Sequence, residues 1–260
     1  MPVSYPSYLQ LDALLGLQRP LSPGPEHDEL LFIIIHQVYE LWFKEMLHEL
    51  DYLTAQLVDR DTPRAQHTLK RILTVLKVLV SQIDVLETMT PLEFQSFRDR
   101  LESGSGFQSR QFRELEMLLG QKRRGAVEHY PTDGDDRKQL EARFAAPTLW
   151  DAFLRYLARS GHDVPRAALE RDVRAPVEPS PDVQRVLLHV YRHDPTAAGV
   201  CERLVDLDEG VQEWRYRHVK MVQRTIGTKR GTGGSAGAEY LLTTLNHPAF
   251  PDLWAIRTSL

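Results

Sequence analysis

An all-α fold, a bundle of long helices, is what this sequence of 260 residues predicts, and three observations predict it. Apolar residues recur at intervals of three and four through most of the chain, the spacing that gathers them on one helix face. No apolar–polar alternation of strand length competes with that pattern. The punctuation is of the kind that starts and stops helices, such as the Thr90-Pro91-x-Glu93 sequence before an apolar run. With 42% hydrophobic and 26% charged residues, the chain can bury a substantial core. It shows no internal repeat and no low-complexity tract.

The elements follow in order. Leu30, Leu31, Ile34, Ile35, Val38, Leu41 and Trp42 mark the inner face of a first long helix. Asp28 stands near its start, and it continues through "LHELDYLTAQL". The stretch "AQHTLKRILTVLKVLVSQIDVLETM" is apolar on so many sides that it belongs at the centre of the core. Thr90 as N-cap, Pro91 as first helical residue and Glu93 as capping-box partner open the next helix. The turn "ESGSG" then leads into "FQSRQFRELEMLLG", which ends at Gly120. Residues 121–146 are polar and mixed and read as a long surface connection. "PTLWDAFLRYLARSG" is a short helix, whereas residues 162–182, with four prolines, read as a surface excursion. The last long helix is expected over Ala197–Ile226, with Gly227 near its end.

Composition excludes several functions. Cys201 is the only cysteine, which rules out an internal disulfide, a Cys-x-x-Cys redox pair and any thiolate-rich metal site. No apolar run reaches the length of a membrane span, and the N-terminus lacks the basic start and apolar region of a secretory signal, so a cytoplasmic protein is expected. The net charge of -4 argues against a nucleic-acid binder, though not against a local basic pocket.

Such a pocket is suggested by residues 214–237, "WRYRHVKMVQRTIGTKRGTGGSAG", which hold six cations and no acid. Leu204, Leu207, Val211, Trp214, His218, Met221 and Thr225 step by three and four, so His218 lies on the inward stripe. It is either a core histidine making one hydrogen bond or a neutral imidazole that ligates a metal such as haem iron. Arg215, Arg217, Lys220, Arg224, Lys229 and Arg230 either ring an anionic cofactor or form a solvated face at a helix C-terminus. The glycine run after them lacks the spacing of a nucleotide loop and follows a helix, so it reads as a flap carrying the hydroxyl of Thr232. In the first long helix, His36 has Phe32 one turn before it and Glu40 one turn after. It is an ordinary buried polar residue or a group that hydrogen-bonds a ligand N–H. Glu45 and His48 are half of a di-iron signature whose second half is missing, since no other histidine has a glutamate three residues before it. Arg98, with Phe94 one turn earlier, pairs with Glu102 on the surface or captures a carboxylate.

Four long stretches, "SYLQLDALLGLQRPLS", "HDELLFIIIHQVYELWFKEMLHELD", "FRDRLESGSGFQSRQFR" and "EWRYRHVKMVQRTIGTKRGTGG", in this order and spacing, resemble the tryptophan 2,3-dioxygenase family. The resemblance implies a single all-helical domain over 1–260 that encloses haem b and assembles as a homotetramer. Residues 1–20 would reach into a neighbouring subunit, with Tyr5, Tyr8 and Leu9 lining its pocket. His218 would be the proximal haem ligand and Ser105 would sit on the distal side. His36 would be the catalytic distal residue, hydrogen-bonded to the indole N–H, with Phe32 beside it. Arg98 and Phe94 would meet the substrate carboxylate end, and Thr232 its ammonium. The implied reaction is insertion of O2 across the indole C2–C3 bond of L-tryptophan, giving N-formylkynurenine. Phe94 stands where some members have tyrosine, Ala236 where serine is frequent and Ile35 where glutamine is common. These departures leave room for a haem monooxygenase of the same fold acting on a substituted tryptophan or another aromatic; a rival of another class, a non-catalytic haem sensor, has no use for a carboxylate clamp.

Overall fold

The computed structural model describes residues 2–24, 26–232 and 237–260, and in these it is helical with no strand. Two short helices, α1 (Tyr5–Leu9) and α2 (Leu11–Leu15), precede the 33-residue α3 (His27–Asp59). Nothing of α1 or α2 is buried in this chain. The segment between them and α3 is tied down by Glu29, whose carboxylate accepts the backbone N–H groups of Leu21 and Ser22 at 2.6 and 3.1 Å. Burial alone would raise its pKa, but those two donors hold it below the usual carboxylate value.

Helix α4 (Thr62–Leu86) is the central element, as its apolar breadth predicts. It packs against both α3 and α12 (Pro195–Ile226), burying Leu69, Ile72, Leu76, Leu79 and Ile83. Its N-cap is Asp61, which accepts the Arg64 N–H. Helix α5 (Pro91–Arg98) starts with the capping box read from the sequence: Thr90 accepts the Glu93 N–H and Glu93 accepts the Thr90 N–H. Helix α6 (Arg110–Leu118) packs on α3 and is followed by Gly120 at φ 97°, a conformation that favours glycine.

Residues 121–146 are not the patternless connection expected. They form α7 (Arg124–Glu128) and α8 (Asp135–Ala145), which close a second apolar cluster of Met117, Ala126, Val127, Tyr130, Leu140 and Phe144. The buried Lys122 ammonium donates to the carbonyls of Arg143, Phe144 and Ala146 at 2.8, 3.0 and 2.7 Å. It thereby serves the orphan carbonyls at the end of α8. Burial pushes its pKa down to about 8. Too few apolar residues, on helices too short for a repeat, hid this subdomain from the periodicity argument.

After α9 (Leu149–Arg159), the excursion expected over residues 162–182 carries α10 (Arg166–Leu169) and ends in the first turn of the next helix. Arg171 pins this segment through a forked pair with buried Asp151, at 2.7 and 2.9 Å. Helix α11 (Pro181–His193) went unread although its start signals, Ser180 and Pro181, are present; it buries Val183, Leu187 and Val190. Helix α12 begins at Pro195, two residues before the expected start, because Asp194 accepts the N–H groups of Thr196 and Ala197. The chain ends with α13 (Ala238–Leu242) and α14 (Pro251–Ala255). Buried Asp208 of α12 holds that tail through the N–H groups of Ala249 and Phe250 and the indole of Trp254. No helix among the described residues is long and apolar enough to cross a membrane.

Candidate functional site

One large cavity opens where α3, α5, α6, α12 and α13 meet. It is lined by Phe32, His36, Phe94, Arg98, Ser105, His218 and Thr232, so the structure brings seven of the ten sequence-identified site residues together. Helix geometry does most of this. The lower half of the α12 stripe, Trp214, His218, Met221 and Thr225, lines the cavity at the edge of the core, whereas Leu204 and Leu207 above it are fully buried. Ile35, one residue before His36, points into the core and is 6% exposed, so its side chain fills space that the cavity does not use.

The two histidines are held differently. His36 Nδ1 lies 2.7 Å from the carbonyl oxygen of Phe32. A carbonyl can only accept, so Nδ1 carries the proton and Nε2 is left as an acceptor. Burial lowers the His36 pKa and keeps the ring neutral. The Phe32 ring packs on the imidazole at 4.1 Å between centroids, and Phe94 and Phe97 extend this aromatic wall. The substitution of phenylalanine at 94 costs no packing, since Phe94 is 9% exposed and meets Phe97 edge-on. His218 makes no hydrogen bond with a described residue; it stacks on Trp214 with centroids 5.2 Å apart and planes 5° apart. Removal from bulk water, followed by the effects of His36 and Arg113, pushes its pKa down to about 4. Both rings are therefore neutral near pH 7.

The flap end is closed by two contacts. Arg98 donates through Nη2 to the Arg230 carbonyl at 2.6 Å, and Thr232 donates to the Gly104 carbonyl. Arg98 forms no ion pair with Glu102 among the described residues, and its Nε is buried without a partner. Ser105 faces the cavity and accepts the Phe107 N–H at 3.3 Å. Gly237, at φ 61°, ends the flap; a Cβ there would lie 2.7 Å from the Lys229 carbonyl oxygen. Ala236 lies outside the described residues.

The cation ring expected from residues 215–230 is corrected. Only Arg215 of those six lines the cavity. Arg217 and Arg224 turn to the opposite face and pair with Asp84 and Glu87 at the end of α4. Lys220 stands over the Tyr216 ring and Lys229 reaches Gln95. At 100° per residue, one helix spreads such a cluster around its circumference. The cavity takes its arginines from separate elements instead: Arg98, Arg113, Arg123 and Arg215. Three of these share one buried carboxylate, Glu116, which accepts from Arg113 at 2.5 Å, Arg123 at 2.7 Å and Arg215 at 2.9 Å. Arg113, Glu116, Arg123 and Tyr240 were missed in the sequence; the available signal was charge on the inward positions of α6, in "RQFRELEML".

Tyr5, Tyr8 and Leu9 are not part of their own chain's cavity. They are 73%, 77% and 41% exposed on α1.

Comparison with known proteins adds the following. The family model described as tryptophan 2,3-dioxygenase matches residues 2–161 and 183–260, leaving out only the segment around α10. The tryptophan 2,3-dioxygenase of Herpetosiphon aurantiacus is 58% identical over 258 residues, covering 99% of this chain and 98% of the relative. That of Anaeromyxobacter sp. is 60% identical, with 99% and 96% covered. The Caulobacter vibrioides protein of the same name is 44% identical, with 99% and 98% covered.

Proposed function

The chain belongs to the tryptophan 2,3-dioxygenase family, and from that premise we propose that it is a haem-dependent dioxygenase converting L-tryptophan and O2 to N-formylkynurenine, with residues 1–260 acting as one unit. The observation that carries the reading is the placement of His36 and His218 on one cavity walled by aromatic rings and four arginines.

The residues present fit haem. His218 offers a neutral ring nitrogen that faces the cavity and makes no hydrogen bond to its own helix. Four guanidinium groups against the two carboxylates of Glu40 and Glu116 leave the lining with excess positive charge. The propionates of haem and the carboxylate of an amino acid are anions that would offset it. Haem held by His218 would supply an iron with one open position for O2. Arg113 and Arg123, each with a buried Nε lacking a partner, stand ready for the propionate edge, and Ser105 for the distal face.

The chain's own residues would then bind and orient the substrate. His36 Nε2, fixed as an acceptor, receives the indole N–H, and Phe32 and Phe94 wall the ring. Arg98 takes the carboxylate in a planar fork, and Thr232 meets the ammonium. An amino acid in an apolar site needs both ends paired, so this clamp is a condition of binding as well as of alignment. Held so, the C2–C3 bond is presented to O2, and positioning supplies much of the rate. The exposed Tyr5, Tyr8 and Leu9 complete a neighbouring subunit's pocket in a homotetramer.

The visible spectrum of the ferrous protein with and without L-tryptophan tests this reading. A five-coordinate histidine-ligated spectrum that responds to tryptophan is expected, together with a product carrying both atoms of one O2. Loss of haem from His218→Ala is expected as well. A product with a single added oxygen atom would refute dioxygenation, and a normal spectrum in His218→Ala would refute the ligand.

A further inference from the structure

We propose that Trp214 is the positioning residue for His218, its stacked indole fixing the plane in which the imidazole meets haem iron. This rests on the reading that His218 ligates haem.

The two rings lie one helical turn apart on α12, with centroids at 5.2 Å and planes within 5°. Two other helical histidines behave differently. His36 bonds through Nδ1 to the carbonyl four residues before it, at 2.7 Å, and His193 does the same at 3.0 Å. That bond turns an imidazole back along its own helix. His218 lacks it, and its ring projects from α12 into the cavity instead. A metal-bound imidazole is ordinarily oriented by a hydrogen bond from its second nitrogen to a carbonyl or carboxylate. Among the described residues no protein group supplies one here. Flat packing takes over that task.

The indole is itself immobilised. Tyr39 and Phe43 meet it edge-on, both at 6.2 Å and at 67° and 83°, and Phe112 covers it at 5.1 Å. Helices α3 and α6 thus hold Trp214, and Trp214 holds the ligand. The imidazole plane decides how the ring overlaps with the iron and how closely its edges approach the macrocycle. A ring free to turn about its bond to iron would give a weaker, more heterogeneous bond and a less firmly held haem.

The test compares the haem-loaded wild type with Trp214→Leu and Trp214→Phe. Two quantities are read: the iron–histidine stretching band of the ferrous protein by resonance Raman, and the rate at which haem passes to an excess of a scavenging globin. In Trp214→Leu the band should broaden and fall in frequency, and haem loss should quicken on the order of tenfold, as expected for loss of one aromatic pair. Trp214→Phe restores a flat partner and should keep the band, with loss within about threefold of wild type. A wild-type band and loss rate in Trp214→Leu overturn the proposal. Equal defects in the leucine and phenylalanine variants also overturn it, because volume and not stacking would then be what matters. Should the leucine variant not fold, Trp214→Met, unbranched and adaptable in a core, is read by the same criteria. A wild-type protein without an iron–histidine band refutes the haem reading, and this inference with it, before any variant is made.

Discussion

Glu116 is the residue whose loss the structure prices most clearly. It is 5% exposed, as are Arg215 at 5% and Arg113 at 6%, and these two share it with Arg123. Glu116→Gln preserves shape but removes the one negative charge among three guanidinium groups. Breaking a buried pair by removing one partner costs about 3–5 kcal/mol. Arg123 is 35% exposed and so is screened by solvent, which favours the lower end, roughly 3 kcal/mol. At about 2–4 °C per kcal/mol for a chain of this size, the melting temperature should fall by roughly 10 °C. Calorimetry of the haem-free protein reads this directly. The exposed pair Arg185–Asp182, 72% and 60% exposed, is the control; Asp182→Asn should shift the melting point by under about 2 °C. A Glu116→Gln protein that melts within about 2 °C of wild type would show that the guanidinium groups are satisfied without the carboxylate, and would refute the reasoning.

Acid should destabilise the haem-free chain through His218. Its folded pKa, about 4, lies below the unfolded 6.5, so the unfolded state takes up the proton first; stability is full above pH 6.5 and declines as pH falls toward 4, by on the order of 3 kcal/mol. Urea titrations across that range check it, and His218→Gln should flatten the dependence; an unchanged slope counts against the assignment. Arg98→Ala should lower catalytic efficiency for L-tryptophan by on the order of 100-fold, with lysine recovering part of it, while tryptamine turnover changes little. Equal losses for the two substrates would mean that Arg98 supports the fold. Deleting residues 1–10 should raise the Michaelis constant for tryptophan while sparing haem content, because α1 buries nothing in its own chain; kinetics and haem absorbance measure the two separately, and an unaffected monomeric enzyme would contradict the shared pocket.

The sequence by itself determined the helices whose apolar repeats run long: α3, α4 and α12 each carry enough turns for period to speak. It also placed His218 on the inward stripe and His36 beside Phe32, because positions three and four apart on one helix are neighbours whatever the rest of the chain does. Tertiary structure decided what local periodicity cannot encode. It chose the partners of the basic residues that the α12 helix spreads around its circumference, giving Arg217 and Arg224 the acids at the end of α4 and leaving Arg215 to join Arg113 and Arg123 around Glu116. Arg215 and Glu116 are 99 residues apart in sequence, and only the fold of the whole chain brings their side chains within bonding distance. It also gave residues 121–146 a core of their own through Lys122, whose three carbonyl partners lie 21 to 24 residues downstream. The difference is physical: a helix face follows from 3.6 residues per turn, whereas the partner of a buried charge depends on which surfaces the whole chain brings together.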